Sequence, residues 1–166
     1  MLIRMSKIAL VIFVGLQGLF YGLNNIVNFK QAMSFVSGVL PMEGHAAYPN
    51  AFGPPITWPP LIVATLCVII IGELLVAALS FKGAYDMVRA RNGPSGMFNM
   101  AKKYAILGCA MALVVWFGMF LAVGGAYFQM WQTDLGTAAM TGAFQYAITS
   151  GLVLLFVNAP DTPSET

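Results

Sequence analysis

Residues 68–81 read VIIIGELLVAALSF, an apolar run that contains a single carboxylate, Glu73. The whole chain has the same character, because 59% of its 166 residues are hydrophobic and only 8% are charged. Soluble domains carry about 25% charged residues, so this chain has too few polar side chains to cover a surface in water. The run therefore belongs to a protein whose surroundings are a lipid bilayer.

The apolar residues are concentrated in four segments, each long enough to cross a hydrocarbon core about 30 Å thick with about 20 helical residues. The segments cover residues 7–29, 60–82, 104–131 and 137–157. Runs such as LIVATLCVIIIG lack the alternation of a membrane barrel strand, and backbone groups in lipid must be paired internally. The sequence predicts an all-α fold: one polytopic membrane domain over residues 1–166, built as a bundle of four transmembrane helices.

Positive charges predict the orientation of these helices. Of the eight Lys and Arg residues, all but Lys30 lie before the first helix or around the connection 83–103. The positive-inside rule then places both termini and the 83–103 loop in the cytoplasm and the 30–59 loop outside, in a multi-pass protein of the bacterial inner membrane. The same rule accounts for the basic residues behind the net charge of +2, so no nucleic acid is expected as a partner.

The predicted exterior loop, residues 30–59, is the longest segment between spans. Its first part, QAMSFVSGVL, is weakly amphipathic and predicts a short interfacial helix, whereas six prolines between residues 41 and 60 favour extended or turn structure. Long loops of this kind are often functional. Tyr48, Phe52 and Trp58 are the candidate partner-contact residues, because large aromatic side chains commonly anchor interfaces.

Polar residues recur along one face of two predicted helices. On the first helix the stripe consists of Gln17, Tyr21, Asn24 and Asn28, which are three or four residues apart. Gln145 lies in a similar stripe on the fourth helix, between two threonines. We expect both stripes to face the bundle interior, where Gln17 is the predicted hydrogen-bond partner of Glu73.

An ionisable residue inside a span is costly and indicates a functional site by default. The sequence places no Lys or Arg between the ends of the predicted spans. Glu73 therefore either carries a proton or meets a counter-charge from another molecule. A carboxyl group that only stabilises a polar core is the alternative interpretation, and the sequence leaves both open.

Four motifs occur in the order YGLNNIVNF, FVSGVLPME, IIIGELLVAAL and GGAYFQMWQTDLGTAAMTGAFQYA. They resemble the bacterial family of predicted small integral membrane proteins called domain of unknown function 2165. The resemblance extends over nearly the whole chain and implies a four-helix membrane fold, with an acid in the second helix that matches Glu73. Members commonly read GGEWF and AFRF where this chain has Ala126 and Gln145, which implies the loss of an ion pair. The resemblance implies no particular activity.

Enzyme chemistry has little support in the sequence. His45 is the only histidine, and Cys67 and Cys109 lie in different predicted spans, where free thiols behave as small apolar groups. We predict no catalytic residues, no metal ligands and no cofactor, and we expect Asp86, Asp134 and Asp161 to be ordinary solvated groups near the membrane edges.

Three functions remain open from the sequence. The favoured one is a non-catalytic accessory or scaffold subunit of a larger bacterial membrane complex, because catalytic groups and an inverted repeat typical of transporters are both lacking in the sequence. The second is a small proton-linked transporter or channel that uses Glu73, as a homo-oligomer. The third is a membrane protein that binds a lipid or a quinone between its helices.

Overall fold

The computed structural model describes residues 1–161, and all regular structure in this part of the chain is helical. Four helical segments are long and apolar enough to cross a membrane. They are Leu2–Val27, Pro59–Ala90, Ser95–Tyr127 and Asp134–Asn158. The predicted fold class, with four long apolar helices and a long connection between the first two, is confirmed.

The helices have the following bounds. Helix α1 is Leu2–Val27, α2 is Phe29–Val39, α3 is Pro59–Ala90, α4 is Ser95–Ala101, α5 is Lys103–Leu113 and α6 is Asp134–Asn158. Helix α5 continues directly into a π-helix, Val114–Tyr127, and a 3₁₀ turn, Met130–Gln132, precedes α6. Helix α2 is the short helix predicted from QAMSFVSGVL, and it packs its buried Val36 and Val39 against the bundle.

The predicted loop 83–103 is wrong in extent, because α3 continues to Ala90 and the third span already begins at Ser95. Hydropathy marks where the chain leaves the hydrocarbon, whereas the backbone stays helical beyond that point. An i,i+4 ion pair between Lys82 and Asp86 supports the extension of α3 on its polar side. The polar connection is thereby reduced to residues 91–94.

Glycines allow α1 to approach α3 closely. Gly15, Gly18 and Gly22 are buried and three or four residues apart on α1. A methyl group at Gly18 would lie 2.6 Å from the carbonyl oxygen of Glu73 and 2.8 Å from Cβ of Val76. Small residues permit such backbone contact between membrane helices, and here they bring α1 directly against the turn of α3 that carries Glu73.

Candidate functional site

Glu73 is buried in the bundle, with only 1% of its surface exposed. Its Oε2 accepts a hydrogen bond from Nδ2 of Asn25 on α1, at 2.8 Å. The predicted partner was Gln17, and this prediction is wrong: Nε2 of Gln17 is buried without a hydrogen-bond partner in the described residues. Asn25 follows Gly18 and Gly22 at helical spacing, so the glycine stripe of α1 was the signal for the face that meets Glu73.

The two polar stripes do not face the interior as predicted. Asn24, Asn28 and Gln145 are exposed, and Tyr21 is about one-third exposed, at 36%. Polar side chains in these stripes bond to the backbone of their own helix. Nδ2 of Asn28 donates to the carbonyl oxygen of Asn24 at 3.1 Å, and Oγ1 of Thr149 donates to the carbonyl oxygen of Gln145 at 2.9 Å. Such local bonds make a polar side chain tolerable on an outer helix face, so its spacing alone does not identify the buried face.

A cavity of about 360 Å³ opens beside Glu73. Glu73 and Asn25 line it, and its walls are mainly apolar and aromatic side chains. The hydroxyl groups of Tyr21 and Tyr146 share a hydrogen bond at this cavity. The Trp116 ring packs edge-on against Tyr146, with the ring centroids 5.5 Å apart. Tyr21 is thus a site residue that lies at the cavity rather than in the helix core.

A second, apolar cavity of about 300 Å³ lies next to the first. The two share four lining residues: Phe35, Val36, Ile69 and Phe120. The rings of Phe35 and Phe120 stack with centroids 6.4 Å apart. Helix α2 therefore lines both the cavity at the carboxylate and the apolar cavity, and we call these two adjoining cavities the cleft.

The loop aromatics lie outside this cleft. Tyr48 is tied to the 3₁₀ turn by two hydrogen bonds: its N–H donates to Oε1 of Gln132 at 2.8 Å, and its carbonyl oxygen accepts from Nε2 of Gln132 at 3.2 Å. Phe52 packs edge-on against Tyr127 with ring centroids 5.0 Å apart. Trp58 immediately precedes α3 and is exposed, as are the rings of Tyr48 and Phe52.

A second polar cluster occupies the opposite end of the bundle, around Asp161. Arg4 donates to Oδ2 of Asp161 at 2.7 Å, and Lys7 and Lys102 donate to Oδ1 at 3.0 and 3.2 Å. The predicted solvated character of Asp161 is wrong, because its side chain is only 10% exposed. Asn99 fixes its backbone, accepting from the N–H of Asp161 at 2.9 Å and donating to its carbonyl oxygen at 3.2 Å.

Charge governs the titration of Asp161. Burial by itself raises the pKa of the carboxyl group, but hydrogen bonds from Arg4, Lys7 and Lys102 outweigh it and lower the pKa from 3.8 to about 2. Asp161 is therefore ionised at neutral pH and fastens the chain after α6 to the start of α1 and to α4.

This arrangement defines a class: a small polytopic α-helical membrane protein with a buried carboxylate at a cleft between its helices. The chain belongs to the family described as predicted small integral membrane protein (DUF2165), which matches residues 3–160. No curated protein and no solved structure matches the chain. Family membership agrees with the resemblance seen in the sequence and assigns no activity. In residues 1–161 no three His, Cys, Asp or Glu side chains are grouped so that they could hold a metal ion.

Proposed function

We propose that the protein binds a lipid-like amphiphile in the cleft, with the polar head at Glu73 and the apolar tail under α2. The observation that carries this proposal is the second carboxylate oxygen. Oε1 of Glu73 has no hydrogen-bond partner within the described part of the chain, although the residue is buried and lines the cavity. This oxygen therefore keeps its acceptor capacity for a hydrogen-bond donor on a bound ligand.

The shape of the cleft supports a ligand with a tail. Ligand sites are mostly apolar clefts with few polar groups that fix orientation, and here those groups are Glu73, Asn25 and the hydroxyl groups of Tyr21 and Tyr146. The neighbouring cavity, lined by Val39, Leu40 and Ile56 among others, offers apolar surroundings that suit an apolar tail. A head group that donates hydrogen bonds, such as an amine, pairs with an ionised carboxylate, which only accepts them.

Fluorescence of Trp116 tests the proposal, because this ring lines the cavity and is buried. In a Trp58→Phe, Trp131→Phe background, Trp116 is the remaining tryptophan. We expect an alkylamine with a brominated chain to quench it at low concentration. Glu73→Gln should weaken the affinity about tenfold, since a hydrogen bond to a charged group contributes roughly 1.5–3 kcal/mol.

Two further variants make this test specific. Glu43→Gln removes an exposed loop carboxylate and should leave the affinity unchanged. Gly142→Leu keeps Glu73 but fills the cavity, since an added Cβ meets only Cε2 of Tyr146, at 3.9 Å, and it should abolish quenching. Equal affinity of the amine for Glu73→Gln and the parent protein would overturn the proposal. Displacement by a short-chain quinone, which only accepts hydrogen bonds, would assign a different head group.

The other functions predicted from the sequence have less structural support. Glu73 is the only carboxylate or basic side chain at its cavity within the described residues, so a proton relay there would have to run through the hydroxyl groups of Tyr21 and Tyr146. The accessory-subunit role stays a prediction that rests on Tyr48, Phe52 and Trp58. Mass spectrometry of protein purified under native conditions tests it, because a stoichiometric second polypeptide that is lost on Trp58→Ala would support that role.

We propose the orientation that the positive charges predict, with both termini in the cytoplasm of a bacterial cell. A cysteine at position 46 should react with a membrane-impermeant maleimide from outside, and one at position 92 should not, in a Cys67→Ser, Cys109→Ala background. Both positions are exposed, so access through the protein is equal and only the side of the membrane differs. The reverse labelling pattern would refute the orientation.

A further inference from the structure

The Asp161 end of the bundle carries more positive than negative charge in a largely buried setting. Lys7 and Lys102 are each 2% exposed, Arg4 is also mostly buried, and within residues 1–161 Asp161 is the one acid that contacts them. Backbone carbonyls accept some of their hydrogen bonds, including that of Ala159 from both lysines. These carbonyls are neutral, so they leave the excess charge in place, and buried charge is costly without a counter-ion.

An open, polar cavity of about 800 Å³ lies beside this cluster. Arg4, Lys7 and Arg91 line it, together with the 91–94 connection and Asp161. Arg91 donates only one hydrogen bond within the described residues, from Nη1 to the carbonyl oxygen of Val88 at 2.9 Å. A guanidinium group has five donors, so most of those on Arg91 have no partner among residues 1–161. The cavity thus combines excess positive charge with unused donors.

The position of the cavity at the ends of the spanning helices limits which kinds of ligand it could bind. It joins the beginning of α1, the turn between α3 and α4, and the residues that follow α6. These are the ends of all four apolar helices at one side of the bundle, which is the depth of lipid head groups. Basic pockets between helices at this depth suit anionic head groups, and an arginine fork matches two phosphate oxygens.

We infer that this cavity binds a phosphate-bearing anion, with Arg91 as its direct contact and with Arg4 and Lys7 supplying the surrounding positive charge. The chemistry is that of a phosphate ester, which either an anionic lipid or a soluble phosphate could present. This site is separate from the Glu73 cleft, with which it shares no lining residue.

Arg91→Gln tests the inference, with Arg89→Gln as the matched control. Arg89 is two residues away, and its substitution removes the same charge. It is exposed, does not line the cavity and lies against the Tyr85 ring. Native mass spectrometry of the detergent-purified proteins measures the affinity for phosphatidylglycerol. We expect Arg91→Gln to bind this lipid about five-fold more weakly than the parent protein does. Arg89→Gln should change its affinity by less than about two-fold, and zwitterionic phosphatidylcholine should bind weakly to all three proteins.

Inorganic phosphate, titrated into the same samples, distinguishes the two sources. Binding of phosphatidylglycerol alone identifies a lipid head group, whereas equally tight binding of inorganic phosphate identifies a soluble anion. Equal loss in Arg91→Gln and Arg89→Gln, or equal binding of both lipids, would overturn the inference. Arg91→Lys keeps the charge without the fork and should retain intermediate affinity, which separates ligand binding from a folding defect.

Discussion

Asp161→Asn lowers the free energy of unfolding by about 3 kcal/mol or more, the largest electrostatic effect that we expect in this protein. Asp161 is the carboxylate that Arg4, Lys7 and Lys102 share in the described structure. Asparagine has nearly the same shape, so packing is kept while the negative charge is lost. Removing one partner of a buried ion pair typically costs about 3–5 kcal/mol because the remaining charge is left uncompensated.

The same carboxylate makes stability depend on pH in a defined direction. Its pKa is lowered from 3.8 to about 2, because the three hydrogen-bonding cations outweigh the effect of burial. A lowered pKa means that its contribution is complete above pH 3.8 and is lost as the pH falls through about 2. This contribution amounts to about 2 kcal/mol, from 1.36 kcal/mol for each pKa unit.

Unfolding of the detergent-solubilised protein in increasing SDS, followed by circular dichroism, measures both effects. The parent protein should lose stability between about pH 4 and pH 2. The Asp161→Asn variant should have low stability at every pH, and its stability should change little across this interval. Asp134→Asn is the matched control, because Asp134 is exposed in the first turn of α6 and should contribute at most about 1 kcal/mol. Equal stability of the two variants would contradict the role given to Asp161.

The fold could be predicted from the sequence because lipid restricts the backbone to few structures. Long apolar segments in a chain with so few charges allow little except spanning helices, and the amphipathic start of the loop predicts α2 correctly. The ends of the helices were harder to predict from the sequence. A span ends where the hydrocarbon ends, but α3 continues in the interfacial region through Tyr85 and Arg89 as a regular helix.

The sites were harder to predict because they depend on helix rotation and on distant partners. Glu73 was identified correctly as buried, since a carboxylate within a span has few alternatives. Its partner was missed because Gln17 and Asn25 lie on neighbouring faces of α1, and the prediction followed the polar stripe instead of the glycines that mark the face packed against α3. The Asp161 cluster joins Arg4 to a residue 157 positions away, and no local pattern carries that information.

Gly83→Ala should strongly destabilise the bundle, although it adds only one methyl group. Gly83 lies where α3 crosses α5, and an added Cβ would lie 2.1 Å from the backbone nitrogen of Ala105 and 2.5 Å from its Cα. Both are backbone atoms, so no side-chain rotation relieves the clash and the two helices must move apart. Overpacking of this kind costs about 3 kcal/mol.

Gly96→Ala is the matched control in the neighbouring helix α4. An added Cβ there meets nothing within 4 Å, so the higher helix propensity of alanine should stabilise the protein slightly, by at most about 1 kcal/mol. The SDS unfolding experiment described above compares the two variants. If Gly83→Ala unfolds at the same SDS fraction as Gly96→Ala, the close crossing of α3 and α5 does not contribute to stability.

The double variant tests whether this crossing and the Asp161 cluster act together. Lys102 immediately precedes α5, and its ammonium group donates to Oδ1 of Asp161 at 3.2 Å. Moving α5 away from α3 therefore lengthens a contact that Asp161→Asn also weakens. We expect the combined loss to fall short of the sum of the single losses by about 0.5 kcal/mol or more, as is usual for sites that share partners. Strict additivity would show that α5 can shift without disturbing the contact between Lys102 and Asp161.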